Sequence, residues 1–131
     1  MSELRLAIAG ASGRMGRALL EAAAGYPGVR VAAALDAPGS ASLGRDASEY
    51  GASGRGLKVS PDVTAALSVS DTLIDFTRPA GTLAHLAACR VAGKSMVVGT
   101  TGFEPHELQA LREGAREVPI VFAPNFSIGV N

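Results

Sequence analysis

Short apolar runs alternate along the chain with segments in which apolar residues recur at intervals of three and four. Six runs predict buried strands, at residues 5–9, 29–35, 57–59, 72–76, 95–98 and 120–123. The segments with helical spacing predict four helices, one after the turn at residues 10–16 and the others at about 60–67, 79–92 and 105–115. Strands that alternate with helices through right-handed crossovers predict a parallel sheet covered on both faces.

Capping residues suggest where the helices begin and end. Ser60 is the predicted N-cap of the second helix, with Pro61 at its first position, while Pro79 and Pro105 open the next two. Gly93 is placed to end the third helix. The predicted buried face of the first helix comprises Met15, Leu19, Ala22 and Ala23.

The composition agrees with a compact fold and excludes several other classes. The 131 residues are 47% hydrophobic and 18% charged, and twelve basic residues balance twelve acidic ones. Intrinsic disorder of the whole chain is therefore excluded, and a nucleic-acid partner is not expected. No apolar run approaches the ~20 residues of a membrane helix, and Glu3 and Arg5 interrupt any secretory start. We expect a cytoplasmic protein with no membrane partner.

The cysteine and the histidines give no metal or hydrolytic site. Cys89 is the only cysteine, so no internal disulfide or multi-cysteine metal site can form, and we interpret it as a small apolar residue at a helix margin. His85 and His106 lie on predicted helices without metal-ligand spacing or a positioned nucleophile, so we predict that both are surface residues.

The clearest motif is a glycine-rich turn between the first strand and the first helix. Residues 10–16 read GASGRMG, and Asp36 follows Gly16 by 20 residues at the end of the second strand. Such glycines allow a tight turn and close approach to a pyrophosphate, which the helix N-terminus attracts. The combination predicts a Rossmann-like, doubly wound α/β domain with strand order 3-2-1-4-5-6 that binds a dinucleotide.

Two residues bear on the choice of dinucleotide. The carboxylate of Asp36 can accept hydrogen bonds from both adenosine ribose hydroxyls, which favours NADH, and Ala37 offers no charge to a 2′-phosphate. Arg14 can either reach such a phosphate or remain a solvated arginine. We therefore predict that the chain uses NADH or NADPH, with a modest preference for NADH.

Three further segments follow strands four, five and six, so they meet at the same edge of a parallel sheet. They contain Phe76, Thr77 and Arg78; Gly99, Thr100 and Thr101; and Ala123, Pro124, Asn125 and Phe126. Their small and hydroxyl-bearing residues suit contact with a flat ring and its amide. Residues 37–57, rich in Gly and Ser, predict a mobile loop.

The motifs together resemble the N-terminal domain of the 4-hydroxy-tetrahydrodipicolinate (dihydrodipicolinate) reductase family. The similar segments are AIAGASGRMGR at 7–17, IDFTRP at 74–79, VGTTGF at 98–103 and NFSIGVN at 125–131. The resemblance implies that Gly10, Ala11, Ser12, Gly13, Arg14 and Met15 hold the pyrophosphate and Asp36 holds the ribose. It also implies that Gly99, Thr100 and Thr101 contact the nicotinamide above a floor formed by residues 123–126.

The resemblance also implies hydride transfer to a cyclic dihydrodipicolinate-type substrate, giving tetrahydrodipicolinate in diaminopimelate and lysine biosynthesis. The family's substrate domain would follow residues 124–131, which resemble its hinge. We therefore expect residues 1–131 to be one dinucleotide-binding domain, cut short before the substrate domain and without catalytic residues. The isolated chain is expected to be inactive, and the intact enzyme to be a homotetramer.

Two alternatives share the same glycine turn and terminal acid. One is another NAD(P)-dependent dehydrogenase, similar to homoserine or aspartate dehydrogenase. The other is a non-catalytic domain that senses NAD and signals through partner contacts. The segments GTTG at residues 99–102 and NFS at residues 125–127 favour the reductase, because a sensor needs no shaped nicotinamide pocket.

Overall fold

The computed structural model describes residues 3–53 and 55–122, which contain a six-stranded parallel sheet. The strands are β1 (Leu4–Ala9), β2 (Val29–Leu35), β3 (Val59–Ser60), β4 (Thr72–Asp75), β5 (Ser95–Val98) and β6 (Ile120–Phe122). Their order is β3-β2-β1-β4-β5-β6, and every neighbouring pair is parallel. The predicted doubly wound α/β fold and strand order are confirmed.

Four α-helices connect the strands: α1 (Arg14–Ala24), α2 (Val63–Ser68), α3 (Pro79–Ala92) and α4 (Pro105–Gly114). Gly93 ends α3 with a left-handed φ of 69°. The predicted cap of α2 is wrong: Asp62 is the N-cap, and its carboxylate accepts from the Ala65 N–H at 3.0 Å. Ser60 cannot start the helix because it still belongs to the sheet, where its carbonyl accepts from the Asp36 N–H.

The sheet separates two apolar cores. Ala7 and Ala9 of β1 face the core shared with α2, α3 and α4, whereas Leu6 and Ile8 face the core on the α1 side. Both faces of β1 are thus buried, which explains its nearly continuous apolar sequence. The glycine turn that follows β1 therefore starts from a strand that is packed on both faces.

The buried face of α1 matches the predicted one only in part: Leu19 packs against the core and Ala23 is half-buried. Met15 is 43% exposed and Ala22 is also exposed, whereas Gly16 and Leu20 are buried. A Cβ on residue 16 would lie 2.0 Å from the carbonyl oxygen of Gly10, so this side of the helix rests directly on the turn. The contact at Gly16 brings this side of α1 onto the turn, which apolar spacing alone does not reveal.

Residues 37–57 include a short 3₁₀ helix at Ala47–Tyr50. The Asp46 carboxylate caps it, Ala47 is fully buried, and the Arg17 guanidinium lies 5.1 Å from the centre of the Tyr50 ring. This segment thus contains ordered packing that its composition did not predict. Its mobility stays a prediction.

Within residues 3–53 and 55–122, no helix is both long and apolar enough to cross a membrane. Across the same described ranges, no three His, Cys, Asp or Glu side chains are grouped to hold a metal ion. The last residue of the predicted sixth strand and the predicted hinge at residues 124–131 lie outside the described part of the chain.

Candidate functional site

The turn after β1 is shaped by two glycines. Gly10 has a φ of 81°, and its N–H donates to the carbonyl of Leu35 at 2.9 Å. A Cβ at Gly10 would lie 2.8 Å from the Phe76 carbonyl oxygen, and one at Gly16 would overlap the backbone of residues 10 and 11. The close approach of β1, α1 and the segment after β4 therefore requires both glycines.

Gly13 has a different place in the turn. It is the N-cap of α1 and supplies no side-chain hydrogen bond, and a Cβ there would meet only the Gly10 carbonyl oxygen, at 3.4 Å. The fold itself thus tolerates a side chain at residue 13. The first N–H groups of α1, including those of Arg14 and Met15, have no partner within the helix and can bind an anion.

Asp36 follows β2 beside this turn. Its Oδ2 atom accepts from the Ser12 N–H at 3.2 Å and from the Ser42 hydroxyl at 2.5 Å. Ser42 is only 3% exposed and lies in a Gly- and Ser-rich segment without periodicity, so its role was not predicted. Arg14 is exposed and forms no ion pair with any residue in the described ranges.

A buried carboxylate joins the segments after β4 and β5. Asp75 is fully buried and accepts from the Thr77 hydroxyl at 2.6 Å, while the Nδ1 atom of His85 lies 3.1 Å from its other oxygen. The hydroxyl oxygen of Thr100 lies 3.5 Å from Oδ1 of Asp75, and it accepts a hydrogen bond from the Thr77 N–H at 2.9 Å. We call Asp75, Thr77, His85 and Thr100 the Asp75 cluster.

The Asp75 cluster corrects the prediction for His85. The His85 side chain is 14% exposed, so His85 is not a surface residue. Its contact with the buried Asp75 carboxylate holds the ring against the fold. His106 is exposed, as predicted. The acid at residue 75, directly after the apolar Leu73 and Ile74 at the end of β4, was the sequence signal for a buried polar partner. Cys89 is buried on α3, where burial and then the charge of Asp75 raise its thiol pKa to about 11.

The predicted nicotinamide segment has one buried and one accessible threonine. A Cβ on Gly99 would lie 2.1 Å from Cε1 of Phe76, so the Phe76 ring packs directly on the Gly99 backbone. Thr100 is 3% exposed and its hydroxyl is used within the Asp75 cluster, whereas Thr101 is exposed, as is Arg78. Ala123, Pro124, Asn125 and Phe126 lie outside the described residues, so their predicted contacts stay predictions.

A cavity of about 290 Å³ lies beside Asp36 at this edge of the sheet. Its lining comes from the ends of β1 and β2, the start of α2 and the first turns of α3: Ala9, Gly10, Leu35, Asp36, Ala37, Pro38, Pro61, Val63, Thr77, Gly81, Ala84 and His85. Apolar walls with a few polar groups are typical of sites for flat organic ligands. The cavity therefore extends the site beyond the glycine turn.

The family model and the relatives found by comparison with known proteins agree with each other. The family model described as dihydrodipicolinate reductase, N-terminus, matches residues 4–126. The chain is 53% identical to the 4-hydroxy-tetrahydrodipicolinate reductase of Aromatoleum aromaticum over 131 residues, covering 100% of this chain and 48% of the relative. It is 54% identical to that of Cupriavidus metallidurans, covering 98% and 48%.

A solved dihydrodipicolinate reductase from Paenisporosarcina sp. TG-14, with dipicolinate bound, superposes with a TM-score of 0.74. It is 26% identical, and the match covers 97% of this chain and 49% of that one. The chain thus spans about half the length of the relatives it matches. On the family match and these identities, the chain belongs to the dihydrodipicolinate reductase family and corresponds to its N-terminal part.

Proposed function

We propose that this chain is the nicotinamide-dinucleotide-binding domain of a 4-hydroxy-tetrahydrodipicolinate reductase. One observation carries the proposal: the open N-terminus of α1, the Asp36 carboxylate and the segment at Gly99 lie at the same carboxyl edge of the sheet. In doubly wound sheets, ligands bind along this edge. The names of the relatives supply the reaction, which the described residues alone do not define.

The glycine turn fits a pyrophosphate. The fold has space for a Cβ at residue 13, so packing within the domain does not explain the glycine there. Its missing side chain instead leaves room for a ligand. The N–H groups of Arg14 and Met15 would donate to the phosphate oxygens, and the positive end of the α1 dipole favours their charge. The turn would thus bind the charged centre of the dinucleotide.

The Asp36 carboxylate is oriented for a ribose diol. Ser12 and Ser42 both donate to Oδ2, and no hydrogen bond from a described residue occupies Oδ1. Oδ1 can therefore accept from the ribose hydroxyls, whereas a 2′-phosphate would be repelled by about 1–4 kcal/mol at ~4 Å. Arg14 would supply attraction of the same order if it reaches that phosphate. Dual use of NADH and NADPH, with a modest NADH preference, follows.

Reduced nicotinamide, when bound, supplies a hydride from C4 of its ring. The side of this site formed by Gly99 and Thr101 would hold the ring and its carboxamide, and Phe76 supports the backbone of Gly99 from behind. The Asp75 cluster keeps Thr100 directed into the fold, so the accessible hydroxyl is that of Thr101. These residues orient the ring and need not exchange protons.

The dihydrodipicolinate-type substrate and the proton donor would be held by the part of the full-length relatives that this chain does not match. The assembled reductase would then form tetrahydrodipicolinate by hydride transfer followed by protonation, and would act as a homotetramer in lysine and diaminopimelate biosynthesis. The 131-residue chain by itself would bind the dinucleotide without turning over substrate.

Calorimetric titration of the chain with NADH and with NADPH tests the proposal. We expect one site for each, with NADH bound more tightly. Asp36→Asn should weaken NADH binding about tenfold, because it removes a charge-assisted acceptor, and should weaken NADPH less. Absence of binding by either dinucleotide would overturn the proposal, and an unchanged NADH affinity in Asp36→Asn would remove the role of Asp36.

A further inference from the structure

The Thr100 hydroxyl joins the two segments that follow β4 and β5. The backbone hydrogen bonds between these strands reach Gly99, whose N–H donates to the Asp75 carbonyl at 2.8 Å. At the next residue a side chain makes the contact, since the Thr100 hydroxyl oxygen accepts from the Thr77 N–H at 2.9 Å. The same oxygen lies 3.4 Å from the Asp75 carbonyl oxygen, toward which its own proton can point. The hydroxyl therefore extends the contact between the two segments beyond the sheet.

A buried carboxylate holds the other side of this link. Asp75 is fully buried, and its Oδ1 atom accepts from the Thr77 hydroxyl at 2.6 Å, while Nδ1 of His85 lies 3.1 Å from Oδ2. Thr77 is thus held twice, by its hydroxyl on Asp75 and by its N–H on Thr100. A buried charged group seldom stabilises a fold more than a well-packed apolar residue would. Positioning of the neighbouring segments accounts for the acid better than stability does.

The Thr100 side chain is directed into the fold, between two residues that reach the site. Thr100 is 3% exposed, whereas the next residue, Thr101, is exposed. On the other side the Phe76 ring covers the backbone of Gly99, where a Cβ would lie 2.1 Å from Cε1 of that ring. A hydroxyl anchored between Gly99 and Thr101 fixes the course of the backbone through both of them.

We propose that Thr100 is a positioning residue for the nicotinamide half of the dinucleotide site, and that its hydroxyl acts by joining the two segments instead of contacting the cofactor. The assignment rests on the proposed function, in which Gly99 and Thr101 hold the nicotinamide. A segment that is already in its bound conformation loses less conformational entropy on binding. Without the Thr100 link, the ligand must order the segment after β5, so the affinity for NADH falls. The affinity for ADP-ribose, which lacks the nicotinamide, is unchanged.

The test compares NADH with ADP-ribose, because the ratio of their dissociation constants isolates the nicotinamide half. Calorimetry on the 131-residue chain gives both constants for the wild type and three variants. Thr100→Val replaces the hydroxyl by a methyl group of similar size, and Thr100→Ser keeps the hydroxyl. Thr72→Val is the matched control, because the Thr72 hydroxyl lies 2.6 Å from that of Ser95 and joins the same two strands at their opposite ends.

We expect Thr100→Val to reduce the preference of the chain for NADH over ADP-ribose by about three- to tenfold, which is the effect of one lost hydrogen bond. The loss should fall on NADH, with the Kd for ADP-ribose unchanged. Thr100→Ser and Thr72→Val should keep the preference of the wild type within about twofold.

An unchanged preference in folded Thr100→Val would overturn the assignment, as would an equal loss in Thr72→Val or Thr100→Ser. If Thr100→Val does not fold, Thr100→Ala is compared with Thr100→Ser, since these two differ only in the hydroxyl, and equal preferences would then overturn it. A wild type that binds ADP-ribose as tightly as NADH overturns the assignment and leaves the proposed site at Asp36 and the glycine turn in place. If neither ligand binds, the proposed function fails, and the assignment fails with it.

Discussion

Two glycines in the same turn should respond in opposite ways to the same substitution. A Cβ at Gly13 would contact only the Gly10 carbonyl oxygen, at 3.4 Å, whereas a Cβ at Gly16 would lie 2.0 Å from that oxygen and 2.7 Å from the Cα of Ala11. Gly13→Ala therefore adds a methyl group toward the proposed phosphate site. Gly16→Ala forces α1 away from the turn.

The expected changes in stability follow from these distances. At Gly13, alanine is a weaker N-cap than glycine by up to about 1 kcal/mol, and the reduced entropy of the unfolded chain offsets about 0.4–1 kcal/mol. The net change in the free energy of unfolding is near zero. At Gly16 the overlap involves backbone atoms, so overpacking should cost at least about 1–3 kcal/mol, and Tm should fall by roughly 4–12 °C.

For NADH binding the expected order is reversed, and Gly13→Ala has the larger effect. If the methyl group at residue 13 displaces a phosphate from one N–H group, a charge-assisted hydrogen bond of about 1.5–3 kcal/mol is lost, which is about 10- to 150-fold in Kd. Gly13→Val should abolish detectable binding while circular dichroism still shows a folded protein. Thermal unfolding and NADH titration of both variants provide the two measurements.

Two separate results would contradict these expectations. Folded Gly13→Ala with the NADH affinity of the wild type would show that the turn does not hold the pyrophosphate. Gly16→Ala with the Tm of the wild type would show that the close contact of α1 with the turn does not require glycine.

Four other predictions concern charge, acidity, thiol reactivity and turnover. Arg14→Ala should weaken NADPH binding more than NADH binding, and more at low salt, because only NADPH has the extra phosphate; equal losses would refute this. The Arg5 side chain lowers the pKa of Asp71 from its ordinary 3.8 to about 2, so the folded state gains stability that is present above pH 4 and lost as the pH falls through 2. Asp71→Asn should therefore lower Tm at pH 7 but not at pH 2, and an equal difference at both would contradict it. Burial raises the pKa of Cys89 to about 11, so a thiol reagent at pH 8 should label it rapidly only after unfolding; fast labelling of the folded chain would exclude this burial. The chain mixed with NADH and dihydrodipicolinate-type substrate should oxidise no NADH above background, and turnover comparable to an intact reductase would place catalytic groups in this domain.

Most of the fold could be predicted because several sequence features indicate the same elements. The apolar runs, the glycine turn and the prolines that open α3 and α4 all indicate the same alternation of strand and helix. Local ambiguity caused the wrong cap of α2, since Ser60 and Asp62 are both good N-cap residues. Only the pairing of β3 with β2, which keeps Ser60 in the sheet, selects Asp62.

The candidate site was less predictable where contacts join distant segments. The hydrogen bond of Ser42 to Asp36 arises from a segment with no periodicity, so nothing near Ser42 in the sequence indicates it. His85 lies at a helical position that could face either solvent or the sheet. Its orientation depends on Asp75, ten residues away, which is buried on the neighbouring strand.

The central claim is that one dinucleotide spans the glycine turn, Asp36 and the segment after β5. The most direct measurement follows the backbone amide resonances of the isotope-labelled chain during titration with NADH. We expect the largest shifts at Gly10, Gly13, Asp36 and Gly99, all saturating with one Kd. Shifts confined to the apolar groove on the α1 side, lined by residues such as Leu19 and Tyr26, would contradict it.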